Sequence, residues 1–87
     1  MNTIWKYNLT DRVTSLKLPK GFNVVSTAVQ HGAIAAWVQV DPDEYELVSA
    51  NIKLVATGDC NVNDSDLHIG TLLFHGGNLV EHVYLEV

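Results

Sequence analysis

Eighty-seven residues, 47% hydrophobic and 17% charged, make one folded domain, too apolar for a disordered chain and too short for a large core. Ten acidic against five basic residues give a formal charge of −5, which argues against a nucleic-acid backbone as partner, since phosphate binding needs a surplus of cations. The lone cysteine, Cys60, excludes an intrachain disulfide and fits a reducing, cytoplasmic setting.

The chain reads as short β runs separated by turn residues. Thr3–Leu9 alternates, with Trp5, Tyr7 and Leu9 on one face and Lys6 and Asn8 on the other. Val13–Leu18 is a second run, ended by the turn Pro19-Lys20-Gly21. Asn23–Gln30 and Ala33–Val40 flank His31-Gly32, which reads as a tight hairpin turn. Asp41-Pro42-Asp43 is the next turn, with an aspartate able to bond the backbone that follows. Tyr45–Thr57 is a long run with Ile52, Leu54 and Ala56 on one side and Lys53 and Thr57 on the other; over Asp43–Asn51 a strand is favoured above a short helix. Residues 58–66 are polar loop, and His68–Phe74 and Leu79–Val87 flank a hairpin at Gly76-Gly77. The expected fold is all-β: a small antiparallel β-sandwich or partly open barrel of six to eight strands, in one domain spanning residues 1–87.

Residues 24–29, 33–38 and 67–74 are apolar on both faces. Such strands need cover on both sides, and in so small a domain a second subunit would supply it, so a homo-oligomer is expected. No apolar run approaches the ~18 residues that span a membrane, and the opening MNTIWKYNLTDRV lacks the blocks of a signal peptide. No membrane partner is expected.

Three of the four histidines recur seven residues apart, at His68, His75 and His82. An odd spacing along a strand alternates faces, and pairing across Gly76-Gly77 sets Thr71, not His68, opposite His82. The three are therefore not expected to converge, and no metal is assigned, since zinc wants three or four ligands. Residues 59–66 resemble a calcium loop, but Asp64 stands where the EF-hand pattern needs glycine and Gly70 where it needs glutamate. The better reading is a loop whose Asn and Asp side chains bond the local backbone. Cys60 lacks any motif that would make it a nucleophile, and no cofactor motif is present. A non-enzymatic protein is expected.

The motifs Thr3-Ile4-Trp5-Lys6-Tyr7, Leu18-Pro19-Lys20-Gly21, Val29-Gln30-His31-Gly32, Trp37 with Val40-Asp41-Pro42, Ile69-Gly70-Thr71, His75-Gly76-Gly77 and Leu79-Val80-Glu81-His82-Val83 follow one another over nearly the whole chain. As a set they resemble a family of small uncharacterised phage and prophage proteins. The resemblance implies a phage or prophage origin and a compact β-rich fold, and it supplies no activity. That family carries Gly-Thr-Gly-His where this chain has Ala56-Thr57-Gly58-Asp59, so no role of that histidine carries over.

The expectation for function is a phage accessory binding protein that acts against a host defence by sequestering a nucleotide-like immune signal as an oligomer. The residue types suited to such a small anionic ligand are Trp5, Trp37, His31, His75 and His82, with Lys6, Lys20 or Arg12 as anion partners. Alternatives are an inhibitor or regulator docking on a host protein and a minor virion component.

Overall fold

The computed structural model describes residues 1–86, and of His75 the backbone alone. Seven strands run in chain order: β1 (Thr3–Asn8), β2 (Val13–Pro19), β3 (Asn23–Gln30), β4 (Ala33–Val40), β5 (Leu47–Ala56), β6 (Leu67–Phe74) and β7 (Leu79–Glu86). They form two antiparallel sheets, one ordered β1-β4-β3 and the other β2-β5-β7-β6. The sheets pack face to face as a small β-sandwich, not a closed barrel, as the alternating runs predict. The expected Leu79–Val87 run holds as far as Glu86, and Val87 lies outside the described residues. No helix among the described residues is long and apolar enough to cross a membrane.

Alternation decides which side chains meet between the sheets. Leu9, Ile34, Ala36, Ile52, Leu72 and Val83 form one core cluster, and Leu18, Val38, Val40 and Ala50 form a second. Tyr7 packs on the second cluster from β1. The turns follow their residues. His31 and Gly32 both take positive φ, 52° and 78°, and join Gln30 to Ala33 in the tight hairpin expected there. Asp41 Oδ1 accepts the Asp43 N–H at 3.0 Å, and Glu44 Oε1 accepts the Glu46 N–H at 2.9 Å. With these local bonds residues 41–46 form a turn at 42–43 followed by irregular backbone, so β5 starts at Leu47 rather than at Tyr45, and no helix forms over Asp43–Asn51.

The sheets approach most closely where β3 faces β6. Gly70 permits this, because a Cβ there would lie 2.0 Å from Thr27 Oγ1. Both strands carry an irregularity in their ladders, β3 between Val24 and Ser26 and β6 between His68 and Gly70.

Candidate functional site

Of the eight residues chosen from the sequence, the seven whose side chains are described (all but His75) do not meet at one place within a protomer. Lys6 and Trp37 are direct partners in the β1–β4 ladder and lie together on the outer face of the three-stranded sheet. The Lys6 ammonium stands 5.8 Å from the centre of the Trp37 ring and donates to Gln30 Oε1, reaching across β4 to β3. Ala35 lies beneath that reach and is 1% exposed. Ala35 stands on β4 between Trp37 and Ala33, whose ladder partners are Lys6 and Gln30, so the Lys6–Gln30 bond crosses the strand at its level. Intramolecular cover therefore meets part of the need that β4's two apolar faces had assigned to a second subunit.

Trp5 points to the other side of β1, with Tyr7 and Leu9, yet stays 39% exposed. Lys20 sits in the β2–β3 turn at the opposite end of the sandwich from His31, paired with Glu46 at 3.5 Å. His31 is an exposed turn residue. His82 lies on the outer face of the four-stranded sheet, across the molecule from Trp37, and the side chain of His75 is outside the described residues.

Thr71 pairs with His82, as the hairpin predicts, but His68 is not remote from them. The bulge between His68 and Gly70 inserts a residue, turns His68 to the face that carries Thr71, and brings its ring centre within 6.3 Å of that of His82. His68 Nε2 lies 2.9 Å and His82 Nδ1 3.1 Å from the Thr71 hydroxyl, and His82 Nε2 lies 2.8 Å from the Thr57 hydroxyl. One assignment with neutral rings satisfies this chain. His82 Nε2–H donates to Thr57, Thr71 O–H donates to His82 Nδ1, and His68 Nε2–H donates to Thr71. The ring of His68 also meets Tyr84 edge-on at 5.3 Å. The network engages both ring nitrogens of His82 and Nε2 of His68, and among the described residues no three His, Cys, Asp or Glu side chains converge on a metal position.

A groove of 380 Å³ runs between the start of β2 and the loop after β5, lined by Arg12, Val13, Lys53, Cys60, Asn61 and Glu86. Its size suits a small ligand, but its cations are engaged. Arg12 donates to the buried Glu81 at 2.6 Å, a bond that raises the guanidinium pKa. Lys53, 5% exposed, donates to the Asn61 carbonyl at 2.5 Å and the Asp66 carboxylate at 2.6 Å, with Glu86 at 3.6 Å. The bond to Asp66 raises the Lys53 pKa. The Asp66 carboxyl is held below its usual range, by Lys53 first and by the Asn63 N–H second. Asp66 also accepts that N–H at 2.7 Å, so the loop's side chains bond its own backbone as the sequence suggests. The groove is thus the seam of a pinned loop. Sequence reading missed Lys53, and its signal was a lysine inside the apolar run Ile52–Ala56.

Charge distinguishes the two sheets. None of the ten carboxylates lies on β1, β3 or β4; they are at positions 11, 41, 43, 44, 46, 59, 64, 66, 81 and 86. In an acidic protein the outer face of the three-stranded sheet is therefore carboxylate-free, and it presents an ammonium, an indole and the amides of Gln30 and Gln39. No curated protein and no solved structure matches the chain. The model of a domain of unknown function, DUF7352, matches residues 1–87, and the chain belongs to that family.

Proposed function

We propose that the protein is a non-enzymatic binding module that takes a planar, anionic, nucleotide-like ligand on the outer face of its three-stranded sheet. The observation that carries this reading is the Lys6–Trp37 pair on a carboxylate-free face. An indole face stacks a heterocycle, the nearby ammonium meets a phosphate, and the Gln30 and Gln39 amides offer both donors and acceptors. The Lys6–Trp37 face is open on one side, and a second copy that sets its own Lys6 and Trp37 beside it would complete the site, so the ligand is read as held by an oligomer. The sequence resemblance to phage and prophage proteins gives the biological frame, an accessory protein in the host cytoplasm that withdraws a signalling nucleotide from a host defence.

A second reading has its own observation. The ten carboxylates lie off the strands of the three-stranded sheet, eight of them in loops, and those loops would suit docking on a basic host protein. The two readings part in one experiment. At 100 times its Kd a bound nucleotide stabilises the folded protein by about 2.7 kcal/mol, and Lys6→Ala and Trp37→Ala each weaken binding at least about tenfold. Melting curves against a panel of linear and cyclic nucleotides at millimolar concentration measure this. No shift with any of them sinks the ligand reading.

A further inference from the structure

We infer that β1 is the edge through which two copies of this chain associate, as an antiparallel β1–β1 pair that joins their three-stranded sheets into one of six strands. The inference deepens the preceding reading, which needs a second copy, and its test uses no ligand.

The Leu9 N–H donates to the Ile34 carbonyl at 2.9 Å, in the same register as the β1–β4 ladder. Residues 3, 5, 7 and 9 thus point their backbone groups at β4, and Ile4, Lys6 and Asn8 point theirs outward. The other strands that end a sheet are blunted. β2 carries Pro19 at an outward-facing position, where no N–H exists and the carbonyl is taken by the Phe22 N–H at 3.1 Å. β3 and β6 are bulged and packed against each other. β1 has no proline and no bulge, and its one charge, Lys6, is drawn back over its own sheet by Gln30 and Trp37.

Exposure and charge select a second copy as the occupant. Ile4 is 53% exposed, and Trp5 stays 39% exposed although it points toward the core side, so the four-stranded sheet leaves it uncovered. An antiparallel pair centred on Trp5 sets it opposite the partner's Trp5 in a non-hydrogen-bonded site, where side chains lie closest. It sets Ile4 opposite the partner's Lys6 and keeps the two lysines apart, whereas centring on Lys6 would oppose them. The joined strands carry no carboxylate on either copy, so no acidic side chain opposes another within the new ladder. Six residues span about 20 Å of edge, a short interface, so association is expected to be reversible and concentration-dependent.

Sedimentation equilibrium on the ligand-free full chain, with cysteine trapping, tests this. The protein is expected to dimerise with concentration. Ile4→Pro removes an N–H that β4 does not use, so it should weaken the dimer at least about tenfold while keeping the strand-rich circular dichroism spectrum. In a Cys60→Ser background, Trp5→Cys should give a covalent dimer under mild oxidation, since its Cα atoms meet at disulfide distance, and should do so faster than Ile4→Cys. A monomer at every concentration up to about 1 mM, a dimer indifferent to Ile4→Pro, or cross-linking faster through Ile4→Cys overturns the inference.

Discussion

Replacing Gly70 with alanine is expected to destabilise the protein by about 1–3 kcal/mol. The added Cβ would sit 2.0 Å from Thr27 Oγ1 and 3.3 Å from Thr27 Cβ, at the seam where β3 lies on β6. The hydroxyl is one bond from the backbone-anchored Cβ, so relief needs a new rotamer or a wider gap between the sheets. Widening the gap would loosen the packing of Leu72 and Ile69 in the adjoining core. Thr27→Ala removes the atom at 2.0 Å and leaves one at 3.3 Å, so the double variant should recover most of the loss. Urea unfolding of the wild type, both single variants and the double variant measures the coupling. A Gly70→Ala protein with an unchanged midpoint would mean that the sheets are not held this close.

Lys53→Met is the second large effect. It leaves the Asp66 carboxylate and the Asn61 carbonyl without their buried cation, and removing one partner of such a pair costs more than replacing both. Melting temperature should fall on the order of 10 °C, and the 57–66 loop should become the first site of proteolysis. Lys53→Met with Asp66→Leu should be milder than Lys53→Met alone. The same pair sets a pH window. Asp66 has its folded pKa lowered, so its contribution is present above the unfolded carboxyl value of about 3.9 and is lost as pH falls through the lower folded value. Lys53 has its folded pKa raised, so its contribution is complete below the unfolded value of about 10.4 and is lost as pH rises through the folded value. Protease sensitivity of the loop should therefore stay flat between those limits and rise on acidification below about pH 4. Cleavage equal in the wild type and Lys53→Met at neutral pH would deny the lysine its role.

Much of the fold was legible because alternation and turn chemistry are local. Asn23–Gln30 and Ala33–Val40 keep the bounds their sequence implies, since His31-Gly32 can take the positive φ values that a tight hairpin needs. The early start expected for β5 failed where two acidic side chains capped their own turn. The His68–Thr71–His82 network was hidden by the bulge at 68–70, because parity counting assumes one residue per ladder step. The cover over Ala35 and the pinning of the 57–66 loop by Lys53 join residues far apart in the chain, and no spacing rule announces them. Of the chosen ligand residues, Lys6 and Trp37 came together because they are ladder partners, while His82 lies on the other sheet.

The most direct test of the binding face is an amide and indole NMR titration of the uniformly nitrogen-15-labelled protein with the nucleotide panel. Saturable shifts are expected, centred on the Trp37 indole N–H and on Lys6, Gln30 and Gln39, and absent in Trp37→Ala. Shifts centred instead on His82 and Thr71, or none at millimolar ligand, would contradict this face as the binding site.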